Sequence, residues 1–382
     1  MALPQELVDA VIDNLAGDVP ALNALSLVCS SFRTSSQAHI FRRITLRSQT
    51  SGMKNTSCAL FHRLVSQSPH ILLHVRTLVI LDRTTLGIAS PKSWIMDEPT
   101  LPPLLRMLVH LEGFHLHSRH NWREVRRGSP SLESAILALL ASPKMKSIHF
   151  RGMAIPSSCV LQSPGLRKLL LNDLDFSDNV TAPTSSKIPI HYLGVSPWML
   201  PLFASASSPF DTQHLLKLQA CPQHDTAQYT ALQTILNTAS GSLLELEYLP
   251  FLTIGDEPPH HPLDLGHLSS LNFLVVWIGL GEYRAQPFAQ LIWLCHVLDS
   301  LPGGSILGIT IHLEDWLDVP IREFDWGIFD AALMRPELSS ARATVFTKFD
   351  SLDVLPPTFN TTGRMLIDHG TLGFHELRYA DL

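Results

Sequence analysis

The apolar positions of this chain fall into two patterns. Near the N-terminus, Leu7, Val8, Val11, Ile12 and Leu15 recur at helical spacing behind Pro4, with Asp9, Asp13 and Asn14 on the other side. Gly17 supplies a stop. Asp18 and Pro20 then supply the start of a second helix carrying Leu22, Leu25, Val28, Cys29 and Phe32. Two short helices cannot hide this many apolar side chains against each other. They either cap the domain that follows or form a docking module that buries the surplus against another protein.

Beyond residue 70 the pattern changes to an apolar residue, two others, an apolar residue, one other and an apolar residue. Nine copies are present: Val75-Leu78-Ile80, Leu111-Phe114-Leu116, Met145-Ile148-Phe150, Leu166-Leu169-Leu171, Ile190-Leu193-Val195, Leu215-Leu218 with its last position missing, Leu243-Leu246-Tyr248, Leu271-Leu274-Val276 and Ile306-Ile309-Ile311. Their starts are separated by 36, 34, 21, 24, 25, 28, 28 and 35 residues. This is the strand signature of leucine-rich repeats, without the asparagine that commonly closes each turn. Helical spacing fits between strands at 56–67, 131–141, 226–238 and 286–300. Strand–helix alternation predicts an α/β fold with a curved parallel sheet and helices on the convex side. Segments 84–103, 181–189 and 255–262 read as exposed loops, and the tail beyond about residue 320 as a cap without a clear repeat.

The first residues resemble a known family. Leu3-Pro4-x-Glu6-Leu7, Ile12, Leu15 and Leu25-x-Leu27-Val28-Cys29-Ser30-x-Phe32 resemble the F-box motif, with Phe32 where many F-boxes carry Trp. Ile40-Phe41-Arg42-Arg43-Ile44-Thr45-Leu46 is similar to the exit segment of fungal F-box proteins. Phe61-x-x-Leu64, Pro69-x-Ile71 and Val75-x-x-Leu78 are similar to the stretch those proteins carry next. The resemblance covers about the first 80 residues. It implies an F-box over residues 1–46 that binds a Skp-type adaptor, and through it a cullin ubiquitin ligase, using Leu3, Pro4, Leu7, Ile12, Leu15, Leu25, Val28 and Phe32. Residues 47–382 then form an irregular leucine-rich-repeat solenoid that presents a protein substrate for ubiquitin conjugation.

In the repeat signature the residues beside the second and third apolar positions alternate to the opposite face. That face collects His115, His117, His149, Arg151, Lys168 and Asn172, then Tyr192, Lys217 and Gln219, then Glu245, Glu247, Phe273, Trp277 and His312. The cargo contact is expected at His117, His149, Arg151, Tyr192, Glu245, Glu247 and Trp277, since aromatic and Arg side chains are favoured anchors. Ordinary solvated residues are the competing reading.

Composition narrows the rest. Charged residues make up 16% of 382 and the net charge is −6. The charge is unevenly spread: residues 51–150 hold 12 Lys/Arg against 6 Asp/Glu, and residues 241–382 hold 7 against 19. The five cysteines, Cys29, Cys58, Cys159, Cys221 and Cys295, form no CxxC pair, which fits reduced thiols in a cytoplasmic or nuclear protein. No basic leader opens the chain, and the longest apolar run, Leu271–Gly279, is too short for a bilayer.

No catalytic signature emerges. Gly279-Leu280-Gly281 follows an apolar strand but meets Arg284 where a dinucleotide fingerprint needs its third glycine. His115, His117 and His120 lack a convergent carboxylate or thiol, so they read as solvent-facing strand histidines rather than metal ligands. His260-His261 lies between prolines and reads as loop. Arg119, Trp122, Arg123, Arg126 and Arg127 read as a solvated basic loop rather than a nucleic-acid site. The sequence therefore predicts a substrate-binding subunit without cofactor, metal or membrane contact. A non-ligase F-box scaffold and an enzyme with a dispersed site remain as alternatives.

Overall fold

Parallel strands in register dominate the structure, and the repeat signature sets the register. The computed structural model describes residues 4–48, 56–82, 93–118, 120–172, 176, 187–221, 225–249, 263–280, 289–315, 326–333, 335–338, 341–347 and 365–368. The chain divides into two compact units, Met1–Ile188 and Pro189–Leu382.

The first unit opens with three helices, α1 (Gln5–Asp13), α2 (Val19–Leu25) and α3 (Ser30–Ile40). The second predicted helix is in fact two. Asp18 caps α2 as expected, its Oδ1 accepting from the Ala21 amide at 3.0 Å. The chain then turns at Ser26, and Cys29, fully extended at φ −159° and ψ 174°, starts a new helix. Leu27 and Val28 therefore sit at a corner rather than along a helix stripe. Next come β1 (Arg43–Arg47), α4 (Ser57–Gln67), β2 (Thr77–Asp82), α5 (Trp94–Asp97), α6 (Leu101–Met107), β3 (Gly113–Ser118), α7 (Trp122–Gly128), α8 (Pro130–Leu140), β4 (Ser147–Arg151), α9 (Ser158–Leu161) and β5 (Lys168–Asn172). Each strand from β1 to β5 pairs in parallel with the next.

At the boundary lies β6 (Ile188–Pro189). The second unit continues with β7 (Tyr192–Val195), α10 (Leu200–Ala204), β8 (Phe210–Asp211), β9 (Lys217–Ala220), α11 (Thr226–Thr238), β10 (Glu245–Tyr248), β11 (Phe273–Leu280), α12 (Ala289–Asp299), β12 (Gly308–Asp315), α13 (Trp326–Leu333), β13 (Arg342–Thr347) and β14 (Met365–Asp368). Here β7 and β9 through β14 form an unbroken parallel ladder. The fold class is thus α/β with parallel sheet, as the alternation predicts.

Register explains the core. Leu78, Phe114, Ile148 and Leu169 are direct partners across β2 to β5, and Ile80, Leu116, Phe150 and Leu171 form the row two residues on. In the second unit Leu193, Leu218, Leu246, Leu274 and Ile309 make the same row. Every apolar position of the nine predicted copies, three in eight of them and two in the sixth, is at most 3% exposed. The position missing from the sixth copy is Ala220, whose register partner is the fully buried Tyr248. The small residue leaves room for the large one, as close packing requires.

Several expectations change. Part of the predicted loop 84–103 is α5 and α6. Pro102 and Pro103 stand in the first turn of α6, where a missing N–H costs little, and Leu101, Leu104 and Leu105 are buried. The rest of that loop, segment 255–262 and nearly all of 181–189 lie outside the described residues. In the tail β13 and β14 continue the ladder, β13 beside β12 and β14 beside β13. The ladder also begins earlier than the first predicted copy, because β1 pairs Ile44 with Leu78 and Leu46 with Ile80. The 46/47 boundary expected between domains falls inside β1. In neither unit is the sheet curled, against the expected curved ribbon. Even curling needs backing elements of similar size behind successive strands. Here α9 and α10 supply 4 and 5 residues where α8 and α11 supply 11 and 13.

Candidate functional site

Two sets of residues could contact a partner. The first is the N-terminal helical module. Val8, Ile12 and Leu22 form its buried centre, with Leu15, Leu25, Phe32 and Ile40 packed around it. Polar side chains clasp α1 to α3. The Ser35 hydroxyl and the Gln5 amide both donate to Asp9 Oδ1, at 2.5 and 2.8 Å, and hold its carboxyl below the ordinary range. His39 Nε2 lies 2.8 Å from Asp13 Oδ1. This leaves aliphatic side chains outside: Leu7 is 55% exposed, Val11 53%, Val19 51%, Leu27 82% and Val28 65%.

The eight residues expected to touch an adaptor therefore separate. Pro4, Leu7 and Val28 are exposed. Leu15, Leu25 and Phe32 are half-buried against the module's own centre, and Ile12 is wholly inside it. Leu3 lies outside the described residues. Val11, Val19 and Leu27 join the exposed set. Val11 stands four residues after Leu7, at the edge of the stripe whose middle, Val8 and Ile12, is buried, so helical spacing pairs it with the exposed Leu7.

The second set is the strand face opposite the leucine rows. In the first unit it is not solvated. His115, His117 and His149 are all buried, which corrects the reading of solvent-facing histidines. Adjacent strands bring the rings together. His115 and His149 pack edge-to-face with centroids 5.3 Å apart, His117 and His149 at 4.6 Å. His117 Nε2 lies 3.4 Å from His149 Nδ1, and Asn172 Nδ2 reaches His149 Nε2 at 3.5 Å. Burial drives the His115 pKa down to about 3, with help from Arg43, His117 and Lys168. Arg151 stands in register with His117. Among the described residues no group of three His, Cys, Asp or Glu is placed to hold a metal ion.

Asp82 carries no motif signal. It ends β2 and is buried, accepting from the Ser93 hydroxyl at 2.6 Å and the Ser118 hydroxyl at 2.7 Å. Burial pushes its carboxyl up, and the two hydroxyls pull part of that shift back. The arrangement ties α5 and β3 to β2.

In the second unit the face holds a compact ionic group. Lys217 Nζ lies 2.6 Å from Glu245 Oε1, 3.7 Å from Glu247 Oε2 and 5.1 Å from the centre of the Tyr192 ring. Register places Tyr192, Lys217 and Glu245 in one row and Gln219 and Glu247 in the next. Burial, with Glu247 and Glu245 adding to it, raises the Tyr192 phenol far above its ordinary value. Further along, the Trp277 and His312 rings stack at 3.9 Å with their planes 11° apart. Gln219, Glu247 and His312 are buried rather than solvated, Tyr192 and Trp277 half-buried, and Phe273 exposed.

Two buried thiols are held in their neutral form. Burial pushes the thiols of Cys58 and Cys295 up to about 12, so both stay protonated near neutral pH. Trp122 of the basic segment is buried, with its indole N–H donating to Glu133 at 3.0 Å, and offers no face for base stacking. Arg119, from the same segment, and His260-His261, Gly281 and Arg284 lie outside the described residues. Among the described residues no helix is long and apolar enough to cross a membrane. No protein-family model matches the chain, and no curated protein is significantly similar to it.

Proposed function

We propose that this chain is the substrate-recognition subunit of a Skp–cullin–F-box ubiquitin ligase. The reading is supported above all by the exposed Leu7, Val11, Val19, Leu27 and Val28 in the segment that resembles an F-box. Fully burying a large aliphatic side chain is worth about 1.5–3 kcal/mol. Several together would offset the cost of association. In this reading residues 1–46 are the F-box and residues 47–382 an irregular leucine-rich-repeat array. Its strand face takes a protein substrate through the Lys217–Glu245–Glu247 group with Tyr192 and Trp277, and through Arg151; His117 and His149, being buried, support that face from beneath rather than touch the substrate. The protein works in the cytoplasm or nucleus and contributes proximity rather than catalytic groups.

The test is co-purification of the full chain with a Skp-type adaptor and a cullin. The wild type binds both, and Leu7→Asp with Val28→Asp binds neither. Adaptor without cullin would favour a non-ligase scaffold, and neither partner would reject the reading. Charge reversal at Glu245 and Glu247 changes the set of co-purifying proteins while adaptor binding persists.

A further inference from the structure

The residue after the first apolar position of each repeat marks the rim where the strands start. Backbone hydrogen bonds fix the row: the Arg76 amide donates to the Arg42 carbonyl at 2.9 Å, Glu112 to Arg76 at 2.7 Å, Lys146 to Glu112 at 2.8 Å and Arg167 to Lys146 at 2.9 Å. On five consecutive strands of the first unit the row reads Arg42, Arg76, Glu112, Lys146, Arg167. In the second unit the same position reads His191, Leu216, Leu244, Asn272, Leu307. The basic stripe is thus confined to the first unit.

The side chains of this row meet. Lys146 Nζ lies 2.9 Å from Glu112 Oε2, and Arg76 Nε lies 3.6 Å from Glu112 Oε1. The Lys146 ammonium, hydrogen-bonded to Glu112, holds its carboxyl below the ordinary range, and Arg76 and Arg42 add to the effect. Three cations act on one carboxylate, and Arg167, whose guanidinium donates to the Leu166 carbonyl at 2.7 Å, adds a fourth to the row. Arg42 and Lys146 are exposed, and Arg76 and Arg167 half-exposed.

We propose that this rim docks an acidic segment of a partner polypeptide. Charge complementarity is one argument, and spacing is the other. Strands lie about 4.8 Å apart, so the Arg42–Arg76 pair and the Lys146–Arg167 pair are centred about 14 Å apart. An extended chain advances about 3.3 Å per residue and alternates its side chains, so acidic residues about four positions apart lie on one side and present a carboxylate to each cationic pair. Glu112, between them, faces a neutral residue. A continuous phosphate backbone fits worse, because it must pass a phosphate over Glu112. None of the five rim residues is aromatic, so bases have nothing on the row to stack on. This inference does not rest on the adaptor reading.

The test uses the intact protein and a fluorescent peptide, Gly-Glu-Glu-Gly-Ser-Glu-Glu-Gly, followed by anisotropy at low ionic strength. The peptide binds, its Gln-for-Glu analogue does not, and added salt weakens binding because the charges are exposed. Arg42→Glu with Lys146→Glu lowers affinity at least tenfold, and Arg42→Gln with Lys146→Gln lowers it by less. Arg126→Gln with Arg127→Gln, on α7, leaves it unchanged. Far-UV circular dichroism confirms that each variant is folded. No binding by the wild type, equal binding by the rim variants, or tighter rim-dependent binding of an oligothymidylate would overturn the proposal.

Discussion

Acid should unfold the first unit through His115. Its imidazole is 7% exposed, and its pKa falls from 6.5 to about 3 because burial, with Arg43, His117 and Lys168 nearby, disfavours the charged form. In the unfolded chain the ring titrates near its ordinary value. Between these two values the unfolded state binds one more proton than the folded state, so stability rises with pH and is lost as pH falls below about 6.5. Each tenfold drop in the ring's proton affinity is worth about 1.4 kcal/mol, so the loss from pH 7 to pH 5.5 is about 1 kcal/mol and grows to several kcal/mol near pH 3. For a unit of this size 1 kcal/mol moves Tm by about 2–4 °C, so the first step lowers it by about that much. The measurement is a difference of slopes between two proteins that differ only at this ring. Urea midpoints of wild type and His115→Gln are followed from pH 7 to 5.5. The variant is less stable throughout, yet loses about 1 kcal/mol less over that interval. Parallel pH profiles for the two proteins would refute the reasoning.

Three further outcomes follow from packing. Ile12→Ala empties the centre of the helical module and costs about 2–5 kcal/mol, whereas Leu7→Asp with Val28→Asp costs less than about 1 kcal/mol because both sites are exposed; thermal melts separate the two. Gly165→Ala puts a methyl 2.6 Å from the Pro143 carbonyl oxygen and 2.9 Å from that of Met145. It should cost about 1–3 kcal/mol in urea unfolding. Ala220→Leu overpacks the row beside Tyr248 and costs a similar amount, about 1–3 kcal/mol, with a loss of near-ultraviolet dichroism from the displaced ring.

The strands were legible in the sequence because their three apolar positions are all inside. Leu166-Leu169-Leu171 or Leu271-Leu274-Val276 can be read directly, and the structure buries every member. The ends of the ladder were harder to read. In β1 the signature is Phe41-Ile44-Leu46, which the resemblance absorbs as an exit segment. In β13 the partners of Ile309 and Ile311 are Ala343 and Val345, too small to stand out. The site was less legible than the fold. Alternation gives the face of His115 and Glu247 correctly, but it cannot tell a solvated face from a covered one. Burial there depends on what neighbouring strands and loops bring across. The break between α2 and α3 was invisible for another reason: Ser26 to Cys29 reads as continuous helix unless the extended backbone at Cys29 is known.

Strict register turns each repeat position into a row, and rows diverge independently. The leucine rows stay uniform because any rung that leaves the apolar set exposes a cavity or a buried polar group to its two neighbours. The rim row has no such constraint. It is charged from Arg42 to Arg167, while in the second unit Leu216, Leu244 and Leu307, with Phe273 one position on, are exposed. Exposed aliphatic side chains on neighbouring strands add little to stability, but they offer area to a partner. One backbone solution therefore carries a basic rim in one unit and an apolar rim in the other. The residues that differ between the two rims are those that the core pattern leaves unspecified.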